Sequence, residues 1–408
     1  MSSSNPQGLQ AFPDELSERK AWLEPFDWYR EMREQEPVRY DPVRHVWDVF
    51  RYDDVKTILA DDERFSVSPR NADGFQEPEG EEAGVMLDTM LLQDPPRHDE
   101  LRGVVDDEFS PRSIRELEPR IRELTTELLD DILDNGDEID LVEEFAYPLP
   151  VIVIAELLGV PAEDRDQFKT WSDAIVSAAS EDENTEEFYE RQGEMRQEMA
   201  FYFVQLMEDR RENPQDDLIS TLVNAEIDGE PLSHREILGT CILLLVAGNI
   251  TTTNLITNAM RCFDEDDTFD SLTGDDKALT TAIEEVLRYR SPVQAMTRVA
   301  MEDVTIGGET IEEGDRISVW MGSANRDERK FDDADEFRAD RVPNQHLGFG
   351  YSTHYCLGAP LARLEAKVAL SELFSRVSNI TIPETTLEPT RSSFIYGVDS
   401  LPIRFEQK

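Results

Sequence analysis

The chain has 408 residues, 39% of them hydrophobic, and sets 89 acidic side chains against 40 basic ones for a formal net charge of −49. That is apolar material for a large buried core, and the charge excludes nucleic-acid binding by bulk electrostatics, because phosphates would be repelled. Only 7 of the basic residues are Lys (20, 56, 169, 277, 330, 367 and 408), leaving 33 Arg; such a charge strains a compact state in dilute buffer but is screened in molar salt, where the Debye length is about 3 Å, which points to a salt-saturated cytoplasm such as that of a halophilic archaeon.

Taken in chain order, the opening MSSSNPQGLQAFPDELSERK has neither a basic n-region nor an apolar h-region, so no signal peptide is expected. Val38–Tyr40 and His45–Phe50 read as an early hairpin, and Asp61–Gln93 as a long loop of the functional kind. Helical periodicity dominates from about residue 97 to 290. Within it Pro119 opens a helix carrying Ile121, Leu124, Leu128, Leu129, Ile132 and Leu133 on one face, and Gly136 closes it. The acid is not blocky but spread between apolar positions, as in Glu181–Glu198. Ser233–Phe263 is the longest helical candidate: Ser233 and Glu236 form a capping box, and Cys241–Ala247 is apolar on every side, so this helix should be buried and run through the centre of the molecule. Beyond it, Pro292–Thr297, Val304–Ile306, Glu309–Ile311 and Arg316–Trp320 are strand-like, the last three separated by Gly307-Gly308 and Gly314. Asn325–His346 is a second long loop. Leu361, Leu364, Val368 and Leu373 mark an amphipathic helix near the end. No run of about 18 apolar residues is present, so no membrane span is expected and the location is cytoplasmic. The whole reads as one mainly helical domain over 1–408 with a small β portion: a hairpin at about 38–50, a helical body at about 97–290, and later strands at about 291–408.

Three cysteines, Cys241, Cys262 and Cys356, make neither a disulfide framework nor a zinc pair. Cys241 and Cys262 fall in the long helix and read as small core residues, while His45, His234 and His346 read as surface or loop residues. The specific segment is Phe349-Gly350-Tyr351-Ser352-Thr353-His354-Tyr355-Cys356-Leu357-Gly358, which sets one cysteine at a loop-to-helix junction. The positive end of a helix favours a thiolate, and a thiolate is an electron-donating axial ligand for iron. Taken singly, Glu285-x-x-Arg288 could be an ordinary helix pair, His98-x3-Arg102 a solvated face, and the polar patch Asn249–Thr253 a set of hydroxyls bonded to their own helix.

Together these segments resemble the soluble bacterial and archaeal members of the cytochrome P450 family, over nearly the whole chain. Phe349–Gly358 is similar to the cysteine-ligand loop, Glu285-Val-Leu-Arg288 to the glutamate–arginine motif, and Ala247-Gly-Asn-Ile-Thr-Thr252 to the oxygen-activating helix. Asp94-Pro-Pro-Arg-His98-Asp-Glu-Leu-Arg102 is similar to a propionate-binding segment, and Ala324-Asn-Arg-Asp327 to a structural loop. The resemblance implies haem b between the long helix and the cysteine-ligand helix, Cys356 as the iron ligand within a site that includes Phe349, Gly350 and Gly358, and His98, Arg102, Arg298 and His354 as propionate partners. It also implies a buried triad of Glu285, Arg288 and Arg341. Thr251 would help deliver protons to dioxygen at the haem, with Ala247 and Gly248 keeping bulk out of the oxygen pocket. The substrate contacts it implies are Met86, Leu87, Leu243, Leu244, Ala247, Val293, Gln294, Ala295 and Met296, a mostly apolar set that suits a lipophilic small molecule.

Two positions depart from the family pattern. Ile250 stands where Asp or Glu is common, leaving Asn249 as a candidate organiser of water, and Ser352 replaces the second loop glycine. The resemblance implies a monomeric monooxygenase that takes dioxygen and receives electrons from a separate ferredoxin-type donor, since no flavin or nicotinamide domain is visible. Ile250 keeps two alternatives open: an enzyme using peroxide or no external electrons, and a non-catalytic haem-binding or ligand-sensing protein.

Overall fold

The computed structural model describes residues 12–78, 84–178, 186–383, 387–390 and 392–408. Positions 1–11 of the opening segment, 79–83 of the first loop and 181–185 of the acidic stretch lie outside the described residues, as does what was expected of them.

The molecule is organised on one helix, His234–Glu265. Ser233 Oγ accepts the Glu236 N–H at 3.2 Å and the Glu236 carboxylate accepts the Ser233 N–H at 2.9 Å, completing the expected capping box. Around it pack Pro148–Leu158, Arg165–Ala178, Glu186–Glu212, Asp276–Tyr289 and Ala359–Arg376. Its Leu245, Ile256, Ala259, Met260 and Phe263 are fully buried against them, each larger side chain contributing roughly 1.5–3 kcal/mol. By length and composition this is the one described helix that could cross a membrane. The Glu118–Asn135 helix ends at Gly136 as expected.

The early hairpin, Val38–Asp41 and Val46–Val49, belongs to a five-stranded sheet. Val46–Val49 runs parallel to Arg316–Trp320, which is antiparallel to Ala295–Ala300, and Phe65–Ser66 closes the far edge. That register sets Arg298 opposite Ile317 and Met296 opposite Val319. Val304–Ile306 and Glu309–Ile311 form a separate ribbon whose turn needs positive φ at Gly307 and Gly308 (+59° and +95°). Another sheet was not foreseen: Pro402–Gln407 pairs with Val377–Thr381 on one side and Glu138–Asp140 on the other. An aromatic cluster, built from Trp22, Tyr29, Phe50, Trp320 and Tyr396, seals the N-terminal segment against the large sheet.

Candidate functional site

The central helix is not buried on every side, contrary to expectation. Ala247, midway along it, is exposed, and Val246, Ile250 and Thr251 are partly accessible, although Leu245, Asn249 and Thr252 among them are buried. An accessible strip in the middle of a core helix lines an interior hollow. Cys356 is accessible in the same way: its side chain is open to solvent yet lies deep within the protein mass.

The loop carrying Cys356 is shaped by its backbone. Gly350 takes a left-handed conformation (φ +74°), its N–H bonds the Leu347 carbonyl at 2.9 Å, and the Cys356 N–H bonds the Phe349 carbonyl at 2.9 Å. Gly358 caps the Ala359–Arg376 helix, and a Cβ there would meet nothing within 4 Å. Burial pushes the Cys356 thiol up, while the Gly358 and Ala359 N–H groups and the Arg102 and Arg363 guanidiniums pull it down. Burial outweighs the helix end and the two guanidiniums, and coordination to a metal would favour the thiolate instead. Cys241 and Cys262 are fully enclosed, and burial pushes the Cys241 thiol up to about 12, as suits core residues.

Four cationic or cation-capable side chains converge beside this loop. The His98 and His354 rings lie 4.2 Å apart. Arg102 donates to the Tyr355 carbonyl at 2.7 Å. Arg298, 3% exposed, donates to the Thr297 carbonyl at 2.8 Å, and no described carboxylate lies within ion-pair distance of it. Burial lowers its pKa to about 10. Burial, with the neighbouring His98, Arg298 and Arg102, lowers His354 to about 3, and its buried Nε2 has no hydrogen-bond partner. In a chain with 49 excess negative charges, a buried cation and an orphaned ring nitrogen without a facing carboxylate form a site made for an anion. The donor set therefore fits a haem: carboxylates on one side, a soft sulfur ligand on the other.

The supporting triad is present. Arg288 forks onto Glu285 at 2.8 and 2.7 Å, Arg341 Nε reaches both its oxygens at 2.9 and 3.1 Å, and Asn344 adds a bond at 3.0 Å. Both arginines then donate to the carbonyl of Glu336, tying the loop to the Asp276–Tyr289 helix. Asn325 holds the Leu347 N–H at 2.6 Å, so the structural loop supports the start of the cysteine loop.

Three expectations need correction. A Cβ on Gly248 would come within 2.9 Å of Ile154, so this glycine lets the Pro148–Leu158 helix approach; Ala247 alone presents its small side chain to the hollow. Asn249 is fully buried, its amide donating to Ser172 Oγ at 2.7 Å and accepting from Thr253 at 3.3 Å, so it organises no water in the hollow. Gln294 is locked between Tyr29 Oη and the Ser291 carbonyl, and Ala295 packs in the aromatic cluster; neither faces a substrate. Val293 and Met296 remain partly accessible, as does Met86, while Leu87, Leu243 and Leu244 keep 7–8% exposure. The Val85–Asp88 turn rests on the central helix at Gly239, where a Cβ would crowd Thr89 at 3.0 Å and Val85 at 3.2 Å. His346 lies in the loop as read, with its side chain buried and bonded to Glu284 at 3.0 Å.

A flat group with two carboxylates at one edge and a thiolate-bound metal at its centre answers both demands, which defines the class as haem-thiolate. The chain belongs to the cytochrome P450 family: the model of that family, cytochrome P450, matches residues 38–263 and 277–405. It is similar to cytochrome P450 109 of Bacillus spizizenii, with 43% identity over 97% of this chain and 95% of the other. It is 41% identical to the erythromycin C-12 hydroxylase of Saccharopolyspora erythraea, over 87% of this chain and 88% of that one. Among solved structures, CYP109E1 from Bacillus megaterium in complex with corticosterone superposes with a TM-score of 0.85 at 44% identity, covering 94% of this chain and 99% of that one. The protein is accordingly a monooxygenase that uses haem b, dioxygen and a redox partner.

Proposed function

We propose that Cys356 is the axial ligand, that His98, Arg102, Arg298 and His354 hold the two propionates, and that substrate enters the hollow beside Ala247 and Thr251. The observation that carries this is the convergence of an accessible but deep thiol with a buried Arg298 that has no described carboxylate within ion-pair distance and a His354 Nε2 without a hydrogen-bond partner. Bound there, haem supplies a redox-active iron whose thiolate ligand favours cleavage of the O–O bond. The chain's own contribution on the oxygen side is a small side chain, Ala247, that leaves room, and a hydroxyl, Thr251, that positions a hydrogen-bond donor.

The substrate is a lipophilic small molecule whose contacts are Met86, Leu87, Leu243, Leu244, Val293 and Met296; that CYP109E1 is solved with corticosterone supports a polycyclic guest. Electrons come from a separate ferredoxin-type protein to a cytoplasmic monomer. The excess of 49 negative charges supports a protein adapted to molar salt, in which two acidic partners can meet. Ile250 favours one second reading, direct use of peroxide. Product yield with reduced ferredoxin and oxygen, set against yield with peroxide alone, decides between them: turnover only with peroxide would overturn the first reading.

A further inference from the structure

Next to Glu285, on the same helix, Glu284 makes a second carboxylate hub that the glutamate–arginine triad does not include. Its Oε1 accepts from Arg363 Nε at 2.6 Å and its Oε2 from Arg363 Nη2 at 3.0 Å, a bidentate fork between the Asp276–Tyr289 helix and the helix behind Cys356. Its Oε2 also meets His346 Nε2 at 3.0 Å. On the other edge of that ring, Nδ1 accepts the Gly348 N–H at 3.1 Å, so Nδ1 carries no hydrogen and Nε2 donates to Glu284. Gly348 is pressed against the same helix: a Cβ there would come within 2.7 Å of the Leu287 carbonyl oxygen.

Arg363 in turn touches both ends of the cysteine loop. Its guanidinium lies 4.5 Å from the centre of the Phe349 ring, and its Nη1 donates to Tyr355 Oη at 3.2 Å. The Phe349 carbonyl receives the Cys356 N–H. One carboxylate thus fixes the histidine that leads into the loop, the ring at its start and the tyrosine beside the sulfur. Burial alone would raise Glu284, but the bonds from His346 and Arg363 outweigh it and hold its pKa at about 2, so the hub is charged at neutral pH.

We propose that Glu284 is a positioning residue for the Cys356 loop, acting through Arg363 and His346 to hold Phe349 and the thiolate in register with the iron. The proposal rests on Cys356 being the ligand. Its role differs from that of an ordinary ion pair in what it should change: the share of molecules that keep thiolate ligation, rather than only the temperature of unfolding.

The test uses the haem-loaded full chain as Glu284→Gln, Glu284→Ala and His346→Gln, with Glu156→Gln as control. Glu156 holds Arg120 and Arg165, remote in sequence from the cysteine loop and without a hydrogen bond or ion pair to its described residues. The readouts are the ratio of the long-wavelength to the short-wavelength band of the reduced carbon-monoxide complex, and the reduction potential of the iron. Loss of the charged hub should shift that ratio toward the short-wavelength form by roughly tenfold in Glu284→Ala, the effect of one charge-assisted hydrogen bond. Glu284→Gln and His346→Gln should show smaller shifts of the same sign, and the control none. Should Glu284→Ala fail to retain haem, Glu284→Gln decides alone. Variants that only unfold at lower temperature, with the ratio and potential of the control, would overturn the proposal. A long-wavelength band surviving in Cys356→Ser would instead overturn the ligand assignment.

Discussion

Thr251 donates its hydroxyl hydrogen to the carbonyl of Ala247, one turn earlier in the central helix, at 2.6 Å. The hydrogen is committed, while the oxygen keeps lone pairs to accept a bond from a water or substrate in the hollow. Thr251 in this state positions a donor but supplies no proton. Neither neighbour makes up for it, since Ile250 is aliphatic and the Asn249 amide is spent on Ser172 and Thr253. Reducing equivalents should therefore be lost in part as peroxide or water. Ile250→Glu should raise product formed per electron pair by about tenfold or more, as a positioned acid does. Tight coupling in the unaltered protein, with no gain in the variant, would refute this account of Ile250.

Arg298 offers two effects of opposite sign. Its side chain is buried with no described carboxylate within ion-pair distance, only the longer-range charges of Asp62 and Asp94, so it costs the haem-free fold stability and gains most when an anion arrives. Arg298→Ala should weaken haem retention by roughly ten- to a hundredfold, the range for hydrogen bonds to charged groups. The haem-free protein should unfold at the same or a higher temperature. Haem-transfer rates to an acceptor globin and calorimetry of the haem-free chain measure the two halves separately. A haem-free variant that is less stable would show that Arg298 serves the fold, not the cofactor.

Ser352 sits at φ +62°, in the left-handed region where a side chain is strained. That explains why a glycine suits this position and why the serine is more than a neutral exchange. Ser352→Gly should stabilise the haem-loaded protein by ~0.5–1 kcal/mol, the relief of strain being partly offset by the greater freedom of glycine in the unfolded chain. Chemical denaturation of both forms reads this directly, and a destabilised variant would contradict it.

Much of the site was legible because its signals are local. The capping box at Ser233, the cysteine loop with its glycines, and Glu285-x-x-Arg288 are each fixed within a few residues. What escaped depends on distant partners. The pairing of Val46–Val49 with Arg316–Trp320 joins strands far apart in sequence, and the Glu284–Arg363–His346 hub joins three segments. Orientation was the other gap: Gly248 and Asn249 lie within a turn of Ala247, yet point at Ile154 and Ser172 instead of the hollow. Gln294 and Ala295 failed for the same reason, since a strand-like spacing does not say which neighbour takes each face.

The charge makes a prediction about the whole fold. With a net charge of −49, self-repulsion should dominate in dilute buffer and be screened in molar salt. Surface pairs such as Arg404 with Glu138 at 2.9 Å weaken as salt rises, but exposed pairs contribute little. The unfolding midpoint should therefore climb steeply across a salt series. A flat or falling midpoint would mean that the acid is surface decoration without consequence for the fold.

The central claim is that Cys356 supplies the thiolate, and the absorption spectrum of the reduced carbon-monoxide complex tests it most directly. The unaltered protein should show the long-wavelength band typical of the family, and Cys241→Ser and Cys262→Ser should keep it, because both thiols are enclosed in the core. Cys356→Ser should lose it completely. A long-wavelength band that persists in Cys356→Ser would contradict the account.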